Sequence, residues 1–444
     1  MQFSSRRSFL SSASAIGLEG LANVRSAYGS PSTGSGGELG TADRNVLQYG
    51  ARADQSFDNT KAFQSAMDDT AKAGGGTVYA PPGGYLFRGN LKVPRGVTLR
   101  GSYGCVPSHS GIVKNLHAVR PGQDGTALFV TGGKGQEDGV PFLTAGTNST
   151  VAGLTIYYPE QVTDVAPVPY PWAIAMRGDN AAVLDVELLN PYQGIDTKTS
   201  ARHNIRNVTG QPIRRGIFVD AIYDIGRIEN VHFNPWWTSS GPLYQWQLVH
   251  GEAFIFGRAD WEYVLNTFAF GYGVGYSFVK TDTGVCNGNF LGIGADCCNR
   301  AVRVEQSARY GILITNGEFT SFLGDDPTQV EVLPGHSGSV RFVNSAFWGP
   351  CAQIAKVDGD RHGTVSFSDC IFCEWDKSGK KAALQFSGGK AVVRGCEFQQ
   401  SKPQIELGER VRSAVISHNL FEGRQQVMNA AGKRAQIELN GATE

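Results

Sequence analysis

Short alternating runs of apolar and polar residues, cut at intervals by Gly, Asn and Asp, fill the chain from about residue 150 to residue 421. Val340-Arg341-Phe342-Val343 and Val365-Ser366-Phe367-Ser368 are typical. A period of two over four or five residues predicts strands with one buried face. The runs also recur in step. An Asn or Asp stands three before an aromatic at Asn230/Phe233, Asn287/Phe290, Asn316/Phe319, Asn344/Phe347 and Asp369/Phe372, and Gly395/Phe398 and His418/Phe421 are weaker copies. From Phe290 onward the steps are 29, 28, 25, 26 and 23 residues, and Phe233 to Phe290 is 57, about two such steps. One strand-rich unit per ~25 residues is the mark of a stacked solenoid, whose coils share a core with their neighbours. The expected fold is therefore all-β, a parallel β-solenoid; a β-sandwich with chance spacing is the alternative. In a solenoid the Phe residues form an internal column with a step of ~4.8 Å. The Asn and Asp residues occupy a turn, where they tolerate left-handed backbone.

One segment has a helical period instead. From Asn59 to Ala73, Ala62, Phe63, Ala66, Met67 and Thr70 make an apolar stripe, Asp58 or Asn59 can cap the start, and Gly74-Gly75-Gly76 ends it. Such a helix can cover the open end of a solenoid. The surrounding residues carry a resemblance. Val46-Leu47-Gln48-Tyr49-Gly50-Ala51, Asp58-Asn59-Thr60-Lys61-Ala62-Phe63-Gln64, Gly74-Gly75-Gly76-Thr77-Val78-Tyr79-Ala80-Pro81-Pro82-Gly83-Gly84-Tyr85 and Val97-Thr98-Leu99-Arg100-Gly101 follow in order. This opening resembles that of the pectate-lyase superfamily, more narrowly the rhamnogalacturonase/epimerase-like pectate lyase domain. The resemblance implies a capping strand, a capping helix and the first coil of a right-handed parallel β-helix. Because the superfamily includes glycoside hydrolases, polysaccharide lyases, epimerases and phage tailspikes, it implies fold strongly and reaction weakly. The Asn-Thr-Asp, Asp-Asp, Gly-His-Gly and Arg-Ile-Lys motifs of the polygalacturonase branch do not occur in that order. Arg361-His362-Gly363 is a partial echo. The Ile-Asp-His signature of pectate lyases is missing too, so no catalytic residue carries over by motif.

Composition narrows the class. The 444 residues hold 57 Gly and four Met, which suits a turn-rich β protein, and 40 basic residues balance 40 acidic ones. That balance argues against nucleic acid as a partner. No run of 18 apolar residues offers a membrane span. Residues 1–27 read as a signal peptide: Ser5-Arg6-Arg7-Ser8-Phe9-Leu10 looks like the twin-arginine export signal, followed by a small-residue run. A disordered tail is the alternative. Export by this route places the protein in the periplasm or outside the cell. Residues 28–44 are a Gly/Ser-rich flexible linker, 45–425 the solenoid with a long insertion at 234–276, and 426–444 a C-terminal cap or tail. Of the eight Cys, Cys370 and Cys396 both stand two before a repeat Phe and would stack on adjacent coils. Buried thiols or one disulfide are expected there rather than zinc at Cys370-x-x-Cys373.

Candidate chemistry gathers where the repetition breaks. Four of the seven Trp fall between residues 234 and 276, and the long loops follow the repeat Phe. Trp236, Trp237, Trp246 and Trp261, with Arg258 and Arg300, are the candidate substrate-binding residues. Aromatic rings stack on sugar faces while polar groups fix hydroxyls, so the expected partner is a polysaccharide or oligosaccharide. Glycosidic cleavage needs two carboxyl groups, and Asp260, Asp296 and then Glu262 are the candidates. In a strand, Asp260 and Glu262 would share a face. β-Elimination on a uronate, with Arg258, Arg300, Arg214 or Arg215 serving, is the second reading, and a non-catalytic glycan-binding or structural solenoid the third. No cofactor is expected for hydrolysis; Ca²⁺ enters only with a lyase. Trimers occur among β-helix proteins, and a homotrimer stays open.

Overall fold

The computed structural model describes residues 43–444, so the export signal and most of the linker lie outside the described residues. The chain winds as a right-handed parallel β-helix whose strands pair almost entirely in parallel, each with the strand one coil away. Each coil presents three faces. Face 1 stacks Trp172–Met176, Gln193–Asp196, Arg215–Val219, Glu252–Phe256, Val274–Phe278, Arg300–Val304 and Thr328–Val332. Face 2 stacks Ala259–Leu265, Cys286–Leu291, Ile312–Thr315, Ser339–Val343 and Thr364–Ser368. Face 3 is narrower and stacks Phe268–Phe270, Gly294–Cys298, Glu318–Ser321, Ala346–Phe347 and Ile371–Phe372.

A single left-handed residue turns face 2 into face 3 on every coil. Asp185, Asn207, Asn230, Asn266, Asn316, Asn344, Asp369 and His418 hold φ between 48° and 58°, and Gly292 and Gly395 take the same place. Asn tolerates this backbone because its short amide bonds locally. Asn207 Nδ2 donates to Asp185 Oδ1 at 2.8 Å, and Asn344 Nδ2 to Asn316 Oδ1 at 2.8 Å. In the earlier coils one strand bends through the turn, as Asn204–Gly210 does; from Asn266 onward it splits in two. The expectation for Asn287 and Phe290 is corrected here. Phe290 pairs with Val264 and Ile314 on face 2, and the turn residue of its coil is Gly292.

Behind face 3 the predicted aromatic column is present. Phe319, Phe347, Phe372, Phe398 and Phe421 stack at centroid separations of 5.2, 5.5, 4.8 and 4.9 Å. In the two coils before Phe319, Ala269 and Ala295 stand in that column. There face 1 supplies the bulk, with Phe254 stacked on Tyr276 at 4.8 Å and Phe256 on Phe278 at 5.3 Å. Large side chains opposite small ones keep the interior at native density.

The N-terminal end is closed by α1 (Thr60–Lys72), whose Ala62, Phe63, Ala66, Met67 and Thr70 are buried as predicted. Asp58 Oδ1 accepts from the Thr60 amide and hydroxyl at 3.1 and 2.6 Å. The inserted segment is shorter than the sequence suggests. It spans 234–251 and contains α2 (Gly241–His250); Glu252–Phe256 already belongs to face 1. Residues 427–442 are no tail, because Val427–Asn429, Ala435–Glu438 and Gly441–Ala442 add one more coil. Cys370 and Cys396 lie on adjacent coils as expected, both buried, as free thiols that donate to Ser368 O and Arg394 O at 3.3 Å. No described helix is long and apolar enough to cross a membrane.

Candidate active site on face 3

Face 3 is covered over its early coils and open over the later ones. The cover is the segment 101–125. His109 donates its backbone N–H to Glu187 Oε1 at 2.6 Å, its ring Nδ1 meets Glu187 Oε2 at 2.5 Å, and Nε2 reaches Asp124 at 3.3 Å. Burial alone pushes the His109 pKa down, but the two carboxylates outweigh it and hold it above the ordinary value. Thr155 steadies Glu187 from below at 2.9 Å, and Thr209 bonds Pro107 O at 3.3 Å. Gly111 N donates to Trp236 O at 2.8 Å, which ties the segment to the insertion. Glu187, Thr209, His232, Phe268, Gly294 and Glu318 follow one another in a single outward column. The cover therefore stops at Thr209; beyond it His232 and Phe268 are half-buried and Glu318 is exposed.

That open stretch is an aromatic path leading to a carboxylate pair. Trp236 lies 4.7 Å from His232, and His232 sits edge-on to Phe268 at 5.1 Å. Burial pushes the His232 pKa below its ordinary value, which favours the neutral ring. Beyond it opens a cleft of about 520 Å³ whose lining includes Phe268, Asp296, Glu318, Thr320 and Trp348. Trp348 Nε1 donates to Glu318 Oε1 at 3.0 Å, which fixes both side chains at the rim. Asp296 is half-buried, and its Oδ1 is sealed from solvent without a hydrogen-bond partner. Burial, with the charge of Glu318, raises its pKa above the ordinary value of 3.8, while the Cys297 amide pulls the other way. One rung and two residues separate the two acids, which puts their Cα atoms roughly 8 Å apart. An orphaned, raised carboxyl beside a second carboxylate in a cleft is the arrangement that acid–base chemistry uses.

The other predicted residues scatter. Trp237 is only 4% exposed and anchors the insertion among Ile112, Leu189, Ile213 and Leu243. Trp246 rides on α2 against Tyr192 and His250. Asp260, Arg258 and Trp261 lie at the corner between faces 1 and 2, where Arg258 Nη2 bonds Asp260 Oδ2 at 2.7 Å and packs over Tyr223. The whole width of face 2 separates Asp260 from Asp296, so the structure does not bring that pair together. Asp260 and Glu262 do not share a face either. A bulge at Trp261, with φ of 56°, turns Trp261 out and sends Glu262 into the interior. Glu262 is 0% exposed and accepts from His203 Nε2 at 2.9 Å; no substrate reaches it, which corrects its assignment as a catalytic acid. Arg300 is on face 1. It bonds Asn299 Oδ1 at 2.7 Å and Asp326 O at 2.8 Å, pairs with Glu331 at 3.2 Å, and lines a second cleft of about 620 Å³ with Arg303 and Val249 of α2. Among the described residues no three His, Cys, Asp or Glu side chains converge as a metal site requires. Sequence reasoning missed Glu318, Phe268 and Trp348. Glu318 stood inside the repeat Asn316-Gly317-Glu318-Phe319, but nothing in the spacing said that it faces outward beside Asp296.

Residues 43–120 match the rhamnogalacturonase A/epimerase, pectate lyase-like family. The N-terminal resemblance thus holds over the capping strand, α1 and the first coils. The chain is 34% identical to alginate lyase 7 of Azotobacter vinelandii across 89 residues, 20% of this chain and 9% of that protein. It is 36% identical to the probable rhamnogalacturonase A of Aspergillus oryzae across 100 residues, 22% of this chain and 19% of that one. The matched segment thus spans less than a fifth of either curated relative. The fold extends much further. The A-module of mannuronan C-5 epimerase AlgE4 from Azotobacter vinelandii superposes with a TM-score of 0.55 at 13% identity, over 89% of this chain and all of that one. The DFA-IIIase of Arthrobacter chlorophenolicus A6 gives a TM-score of 0.56 at 12% identity, over 90% and 99%. At such identities the likeness is one of fold.

Proposed function

We propose that this chain is an exported glycan-active enzyme that hydrolyses glycosidic bonds in the face 3 cleft. Asp296 is the general acid and Glu318 the base or nucleophile. The observation that carries the reading is the unpartnered, half-buried Asp296 carboxyl beside Glu318. A proton held on Asp296 can pass to the leaving oxygen as the bond breaks. Trp348 and Phe268 bound the cleft and suit the apolar faces of a sugar, and the path through His232 to Trp236 extends the stacking surface. The names of the relatives, a rhamnogalacturonase and an alginate lyase among them, support a glycan substrate. The Arg-Arg pair at the N-terminus supports export by the twin-arginine route.

The arginine-lined cleft of face 1 supports a second reading, β-elimination on a uronate. Arg300 and Arg303 sit there beside Glu331, and cations of this kind quench a substrate carboxylate; Ca²⁺ belongs only to this reading. A panel of polysaccharides with mass detection of products tests the choice. Asp296→Asn and Glu318→Gln should each lower turnover by about 10²–10⁴-fold, with glycan binding retained. Full turnover in both variants would remove the face 3 site.

A further inference from the structure

The corner where face 1 passes into face 2 holds a cavity of about 490 Å³, on the far side of face 2 from the Asp296 cleft. Four successive coils build it. Ser339, Thr364 and Lys390 are register partners, so they stand one above another at about 4.8 Å per rung. Ser307 and Arg309 come from the coil before and His362 from the loop entering Thr364–Ser368. The lining contains no carboxylate. Arg309 and Lys390 are both exposed, and among the described residues neither side chain has an ion-pair partner. Asp360, two residues before His362, accepts at Oδ1 from the amides of His362 and Gly363 at 2.6 and 3.2 Å.

Local bonds decide which groups remain to donate. Ser307 Oγ is fixed between His336 Nε2 at 2.8 Å and Ser339 O at 3.0 Å. Ser339 Oγ donates to Arg309 O at 2.9 Å. His362 Nε2 accepts from Arg361 Nε at 3.0 Å, which leaves Nδ1 to carry the ring proton. The Arg309 guanidinium, the Lys390 ammonium, the Thr364 hydroxyl and His362 Nδ1 are thus free donors at one concavity. Donors without acceptors, two of them charged, call for an oxyanion. Tyr310, next to Arg309, is 72% exposed and has no aromatic neighbour among the described residues.

We propose that this cavity is a secondary binding site for an oxyanion borne on a glycan, a carboxylate or a sulfate ester, with Tyr310 stacking on the adjoining sugar ring. The glycan part rests on the reading of the chain as glycan-active; the oxyanion part does not. Titration calorimetry tests both, using inorganic sulfate and size-matched uronate, sulfated and neutral oligosaccharides. The protein is the full chain with Asp296→Asn to halt turnover, with and without Arg309→Ala and Lys390→Ala together. The acidic oligosaccharides should lose at least tenfold in affinity in the double variant and weaken with added salt, while the neutral one changes little. Binding of the uronate alone, the sulfated sugar alone, or both would identify which oxyanion is taken. Binding of inorganic sulfate that the double variant abolishes supports the oxyanion site even where no glycan is turned over. Equal affinities in the two proteins, or a salt-sensitive self-association of the chain that the double variant abolishes without any oligosaccharide binding, would overturn the proposal.

Discussion

At the scale of single residues, two carboxylates of adjacent coils have been given different surroundings. Asp296 is walled in and lacks a partner for Oδ1. Glu318 lies at the rim and accepts from Trp348. Environments that push two acids apart assign their roles. The sign is specific. The raised pKa of Asp296 means that its proton is retained above the ordinary value of 3.8, so a general acid is available there and is lost as pH rises through the shifted value. A carboxyl-carbon NMR titration should place Asp296 above 3.8, and Glu318→Gln should move it down by removing the neighbouring charge. Titration at or below 3.8 would deny Asp296 the acid's role. Sequence reasoning set Asp260, Glu262 and Asp296 together; the structure places Asp296 in the face 3 cleft, Asp260 beside Arg258 across face 2, and Glu262 in the interior. Strict alternation places residues two apart on one face, and the bulge at Trp261 breaks that alternation.

At the scale of elements, the left-handed turn between faces 2 and 3 sets the register. It fixes which side chains become the internal column and which the outward one. Asn344 holds φ of 48° and donates to Asn316. Asn344→Ala should cost about 1–2 kcal/mol in left-handed backbone strain. Asn344→Gly should cost less, because Gly adopts that conformation freely. Urea denaturation would rank the two, and the reverse order would show that the turn does not depend on this backbone. Most of the column was legible, since Asn230, Asn316, Asn344 and Asp369 precede Phe by three. The coils of Asn266 and Gly292 were not, because Ala269 and Ala295 replace the marker and Phe290 supplied a false one from face 2. A small residue in the column is readable only against the aromatics that face 1 packs across from it.

At the scale of the whole molecule, the winding brings Trp236, Phe268, Asp296, Glu318 and Trp348 onto one outward strip of face 3, although they span more than a hundred residues of chain. The fold was readable from period and from the N-terminal resemblance, because both depend on local pattern. The site was readable only in part. Its limit is drawn by the segment 101–125, locked down through His109 and Glu187, and no periodicity announces where a long loop will lie. Its partition from the face 1 cleft is drawn by α2, which the sequence shows only as an aromatic-rich interruption. The proposed function has water cleave glycan at this strip. It is tested most directly by running the reaction in ¹⁸O-labelled water and weighing the products of wild type and Asp296→Asn. The expected result is one ¹⁸O atom per new reducing end, no unsaturated product absorbing in the ultraviolet, and loss of the ¹⁸O-labelled ends in the variant. Unsaturated ends without ¹⁸O, or an undiminished yield from Asp296→Asn, would contradict it.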